Sequence, residues 1–141
     1  MKRSEYSLEK DIICSDLQDK ISDILVRHRS ILDVMTKLEE SNSRINRAIA
    51  KSVTHCGCIS IDASKQKLPT SDTSTFSESK DCFKEHIGGE LCETCKEIVE
   101  KEIGNHMFYI GAVCNTLDIS LNEAVSKELK KIDTLGIYSL L

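Results

Sequence analysis

Apolar residues recur at helical spacing through Leu8, Ile12, Leu17, Ile21, Ile24, Ile31, Met35, Leu38, Ile45, Ile49 and Val53, and no Gly or Pro interrupts them. Steps of three and four residues keep such positions on one face of an α-helix, so this stretch reads as helix almost throughout. An unbroken helix would be about 69 Å long at roughly 1.5 Å per residue, too long for one compact domain of this size. A break is therefore expected near residues 27–30, where Ser30-x-x-Asp33 has the form of a helix start. The alternative is one long helix paired in a dimer, because the seam runs through His28 and Asn42 at a period of roughly 3.5 residues.

The pattern changes after Val53. His55-Cys56-Gly57-Cys58 ends the helix, Ile59-Ser60-Ile61 reads as extended, and Pro69 to Ser79 is dense in Ser, Thr and Asp, as a surface loop would be. Asp81 to His86 is expected to form a short helical turn that Gly88-Gly89 breaks. A helix then follows from about Leu91 to Leu117. Ser120-x-x-Glu123 is a capping box opening a last helix, from Leu121 to about Ile132. The apolar tail, 134–141, is expected to dock on the core.

Composition narrows the class. With 141 residues, of which 40% are hydrophobic, one core can be filled, so a single domain over 1–141 is expected. Trp is absent, Phe and Tyr number three each and Pro occurs once, leaving Ile, Leu, Val and Ala to pack helix on helix. The formal net charge of −4, from 19 basic and 23 acidic residues spread along the chain, offers no cationic surface for duplex nucleic acid. No apolar run approaches the roughly 20 residues that span a bilayer, so no membrane partner is expected. Seven cysteines is an odd number, which suits a reducing cytoplasmic setting better than a secreted disulfide framework.

The cysteines carry the clearest chemistry. Cys56-x-Cys58 and Cys92-x-x-Cys95 are two short-spaced pairs, the arrangement of a tetrahedral zinc site. The dipole at a helix start favours thiolate at Cys92 and Cys95. Four thiolates would leave no open position on the ion, so such a zinc is structural, stapling two helices across a 55–90 insertion. His55 or His86 can replace one Cys. The alternatives are a redox-sensitive dithiol pair or ordinary cysteines. Cys14 and Cys114 lie on apolar helix faces and read as core thiols, while Cys82 has no partner at motif spacing.

Two acidic stretches lie on amphipathic helices: Leu38-Glu39-Glu40-Ser41-Asn42-Ser43-Arg44-Ile45-Asn46-Arg47-Ala48-Ile49, and Glu97-Ile98-Val99-Glu100-Lys101-Glu102-Ile103-Gly104-Asn105. By periodicity alone they are solvated helix faces. The second continues through His106-Met107-Phe108-Tyr109-Ile110 to Leu117-Asp118-Ile119-Ser120-Leu121-Asn122-Glu123-Ala124-Val125. Taken together, these segments resemble the MazG-like nucleotide pyrophosphohydrolases, and the likeness covers about half the chain. It implies an all-α, MazG-like antiparallel helical bundle, completed by dimerisation, with the zinc-bounded segment inserted.

The resemblance further implies Mg²⁺ held by acidic pairs on facing helices, a nucleoside triphosphate substrate, and release of pyrophosphate. Glu40 and Glu102 match the first acid of each pair, whereas Ser43 and Asn105 stand where the second acids belong. Glu39 and Asn105 join them as candidate magnesium ligands, with Glu97 and Glu100 available in another register. Lys127 and Lys131, beside Lys130, fall where a phosphate-contacting lysine is implied, and Tyr109 reads as core. The expected function is nucleotide binding of the pyrophosphohydrolase type, with activity weakened by the missing carboxylates. The alternative is a non-catalytic, zinc-stabilised interaction or regulatory module.

Overall fold

Helix α1 (Arg3–Ile24) stops where the sequence predicts a break, and α2 (Ile31–Lys51) starts after a corner in which His28 takes a left-handed φ of 57°. Asp33, expected to cap α2, instead faces His28 Nδ1 at 3.8 Å. The computed structural model describes residues 3–67 and 82–140. The predicted 69–79 loop and the side chains of Leu8 and Ile12 lie outside the described residues.

Beyond α2 come a π-helical turn (Ser52–Cys56), β1 (Ile59–Ile61), β2 (Ile87–Gly89), α3 (Glu93–Thr116), α4 (Leu121–Leu135) and a 3-10 turn (Gly136–Leu140). The described chain is mainly α-helical, with one small antiparallel sheet pairing Ile59 with Gly89 and Ile61 with Ile87. Among the described residues no helix is long and apolar enough to cross a membrane.

Two expectations are corrected here. Residues 83–86 form no helical turn, and Gly88-Gly89 does not break one but belongs to β2. The reason is steric: a Cβ on Gly88 would lie 2.7 Å from Ser60 Oγ, and one on Gly89 2.6 Å from the Cys58 carbonyl oxygen. Gly89 also has φ 76°, which L side chains rarely adopt. In the tail, Tyr138 is 61% exposed, and the side chains of Ile137, Leu140 and Leu141 lie outside the described residues.

The chain divides into two compact units, Met1–Ile45 with Glu100–Leu141, and Asn46–Val99. The first has its core at Ile21, Val34 and Ala112, flanked by Leu17, Leu25, Phe108 and Val113. Gly111 admits Ile21 at close range, since a Cβ there would fall 2.5 Å from Ile21 Cδ1. Gln18 ties α1 to the α3–α4 connection. Its side-chain amide donates to Asn115 Oδ1 and the Ile119 carbonyl and accepts from the Leu121 N–H. At the start of α4 Ser120 caps the helix, its Oγ accepting from the Glu123 N–H at 3.2 Å.

Along α2 the shielded positions are Ile31, Val34, Leu38, Ser41, Ile45, Ala48 and Ser52, alternating steps of three and four. The predicted seam is therefore displaced: Met35 is 56% and Ile49 39% exposed, while Ser41 and Ser52 are buried. Each serine satisfies its hydroxyl on its own helix, Ser41 to the Leu38 carbonyl and Ser52 to the Ala48 carbonyl, which removes the cost of burying it.

Candidate metal centre

The Asn46–Val99 unit gathers the two predicted cysteine pairs. Helix α2 widens into its π-helical turn, and Gly57, at φ 75°, returns its N–H to the Ser52 carbonyl at 2.9 Å. This reversal sets the Cys58 thiol over the same carbonyl, 3.7 Å away. Ile59–Ile61 leads the chain out, and Ile87–Gly89 leads it back alongside. Cys92 immediately precedes α3, its carbonyl accepting the Lys96 N–H, and Cys95 sits in the first turn.

The sulfurs of Cys56, Cys58, Cys92 and Cys95 all lie within 4.8 Å of one another, a group able to hold a metal ion. Cys56 and Cys92 are 3.8 Å apart. Cys56 is exposed and Cys95 is buried. Neither His55 nor His86 belongs to the group. His55 lines an adjoining cavity of about 590 Å³ together with Lys51, Cys56, Cys92, Cys95 and Ile98. His86 Nε2 is buried without a hydrogen-bond partner among the described residues.

Electrostatics separate the thiols. Cys92 is pulled down to about 7, chiefly because the Cys95 backbone N–H donates to its sulfur, with the Cys95 and Cys56 thiols adding to the effect. Cys56 is pushed up to about 12 by its hydrogen bonds to Cys95 and Cys92. At Cys95 the Ser52 hydroxyl favours the thiolate, but burial and the bond to Cys92 outweigh it, leaving the group raised. Of Cys56, Cys92 and Cys95, Cys92 thus loses its proton first, at the N-terminal end of α3, where the helix dipole also favours the thiolate.

The remaining cysteines are unpaired. Cys114 is buried, as expected of a core thiol, and burial pushes its thiol up. Cys14 is only half-buried.

The acidic candidates other than Glu97 fall in the other unit. Arg44, a residue the sequence reading did not single out, lies between the carboxylates of Glu40 and Glu102, with NH1 3.8 Å from Glu40 Oε1 and Nε 3.3 Å from Glu102 Oε2. Lys37 Nζ donates to Glu40 Oε2 at 2.7 Å, which holds the Glu40 carboxyl below its ordinary value. The Glu40-x-x-x-Arg44 spacing carried the missed signal, since residues four apart are neighbours on a helix surface. Beside it, buried Ser41 meets His106 Nδ1 at 2.8 Å.

Ser43 donates to the Glu39 carbonyl and so turns back on its own helix. Glu39, Glu97 and Glu100 are exposed, and Asn105 is partly buried. Among the described residues, the cysteines form the only converging group of three or more His, Cys, Asp or Glu side chains. Lys127 and Lys131 pair with Glu123 and Glu128 of their own helix, at 4.0 and 2.8 Å. Tyr109 is half-buried and edge-on to Phe108, ring centroids 5.2 Å apart. Comparison of the chain with family models, curated proteins and solved structures finds no match.

Proposed function

We propose that this chain is a zinc-stapled helical module that engages a partner without turnover, its staple a structural Zn²⁺ on Cys56, Cys58, Cys92 and Cys95. The observation that carries the reading is the 3.8 Å separation of the Cys56 and Cys92 sulfurs. A tetrahedral ZnS₄ centre with bonds of about 2.3 Å has edges of about 3.8 Å. Four thiolates complete the coordination sphere, so the ion orders the chain and activates no water. Seven unpaired cysteines suit a reducing compartment, which favours the cytoplasm.

The absence of turnover follows from charge. A magnesium–triphosphate site needs free carboxylate oxygens, and here Lys37 and Arg44 already answer Glu40, while Arg44 also answers Glu102.

One observation favours the second reading, a MazG-like nucleotide-binding protein. Glu40 from α2 and Glu102 from α3 meet at a single cation, the Arg44 guanidinium, where that resemblance implies Mg²⁺. An antiparallel bundle completed by a second copy belongs to the same reading. It is supported by a stripe on α4, Val125, Leu129 and Ile132, whose members are 48%, 53% and 45% exposed.

Metal analysis followed by calorimetric titration with Mg²⁺ and a non-hydrolysable nucleoside triphosphate separates the two. The module reading expects one zinc per chain and no Mg²⁺-dependent nucleotide heat. Saturable Mg²⁺-dependent binding, lost in Glu40→Gln and Glu102→Gln, would replace it with the nucleotide reading.

A further inference from the structure

The four sulfurs are not equally reachable. Cys58 is turned toward the Ser52 carbonyl and does not line the cavity beside the cluster, whereas Cys56, Cys92 and Cys95 do. Of those three, Cys95 is 8% exposed, Cys92 intermediate and Cys56 exposed. A small solute entering the cavity therefore meets Cys56 first, and Cys92 lies 3.8 Å behind it.

We infer that the centre is a peroxide-responsive switch, in which Cys56 and Cys92 give up two electrons to a hydroperoxide and the ion is released. This rests on the zinc reading above. The Cys56 thiolate attacks one oxygen of hydrogen peroxide, breaking the O–O bond to give a sulfenic acid and a hydroxide, which is neutralised by a proton from buffer acid in solution. The Cys92 thiolate then attacks the sulfenic sulfur, forming the S–S bond and expelling a second hydroxide, which is likewise protonated. Two thiolates are oxidised, one hydroperoxide is reduced, and Zn²⁺ leaves because two ligands cannot retain it.

The product keeps the architecture. A Cys56–Cys92 disulfide joins the two segments that the ion joined, closing a loop between residues 36 apart in sequence. The β1–β2 ladder survives, while Cys58 and Cys95 emerge as free thiols. The switch exchanges a metal staple for a covalent one and changes which sulfurs are available.

The test uses the full chain loaded with zinc, hydrogen peroxide as oxidant, a zinc-sensitive dye, and disulfide mapping of an unreduced digest. One zinc should be released for each Cys56–Cys92 disulfide formed, and thiol reductant with zinc should reverse both. Cys56→Ser should slow release by about tenfold or more, because the reachable nucleophile is gone, while Cys82→Ser releases at the parent rate. Retention of zinc under excess peroxide, or a first disulfide between Cys92 and Cys95, overturns the switch. A chain that takes up no zinc before peroxide is added fails at the earlier step and overturns the zinc reading itself. Mapping of the parent chain decides the outcome even where Cys56→Ser loads poorly.

Discussion

The cysteine cluster and the Glu40–Glu102 patch both collect metal-ligating side chains from segments far apart in sequence, yet they differ in how their charge is balanced. The four sulfurs converge within 4.8 Å, with Lys51 beside them in the adjoining cavity, and form a group able to hold a cation from solution. The carboxylates converge on a cation the chain itself supplies, Arg44, with Lys37 as a second. A guanidinium tethered four residues from Glu40 competes with Mg²⁺ at an effective concentration fixed by its own helix. Proximity of ligands alone thus does not make a metal site; the deciding quantity is the charge left unanswered.

The largest effect that probes this contrast is removal of zinc. Chelation should abolish amide-exchange protection across Ile59–Ile61 and Ile87–Gly89 while leaving the helices around Ile21 and Val34 protected. Structural zinc contributes on the order of 10 kcal/mol or more to small domains, beyond what a two-stranded ladder supplies unaided. Persistence of ladder protection in the metal-free chain would break the comparison.

Next comes acid. Cys92 titrates at about 7, below its ordinary 9.0, so its thiolate favours the folded cluster at high pH and that contribution fades as pH falls through about 7. Zinc must then displace one more proton, and its apparent affinity, measured by chelator competition, should fall by about a further tenfold per pH unit below that point.

A smaller effect is expected at the buried hydroxyl beside the acidic patch. Ser41→Ala removes a partner from both Leu38 and His106, and should cost about 1–2 kcal/mol in urea unfolding without altering zinc content. The smallest stability change belongs to Arg44→Ala. The Arg44 side chain is 55% exposed, so the loss should stay below about 1 kcal/mol. The same substitution frees the Glu102 carboxylate and leaves Glu40 with Lys37 alone, and should bring weak Mg²⁺ binding into calorimetric range. Equal Mg²⁺ affinity before and after would show that the guanidinium is not the obstacle.

What could be read from the sequence followed the range of the interaction. The cysteine pairs, the Ser120 helix cap and the break between α1 and α2 are local, encoded in residues a few positions apart, and they appear where expected. The buried face of α2 was misread because apolarity marked Met35 and Ile49, whereas burial selected small serines whose hydroxyls could turn back onto the helix. Gly88-Gly89 looked like a helix breaker, and only the passage of β2 against Cys58 and Ser60 gives these glycines their role. The Glu40-x-x-x-Arg44 spacing encodes one partner of Arg44, but the other, Glu102, comes from another helix, a contact that no local pattern encodes.

The Gln18 clamp has a consequence for biosynthesis. Its partners Asn115, Ile119 and Leu121 stand 97, 101 and 103 residues further along the chain. At translation rates of about 5–20 residues per second, α1 leaves the ribosome roughly 5–20 s before the groups that hold it exist. During that interval Leu17 and Ile21 can meet Leu25 and Val34 but not Phe108, Ala112 or Val113, so the nascent chain leaves them only partly covered. Helix α1 is therefore made well before the groups that fix its place, and its exposure in that window is a natural point of contact for chaperones.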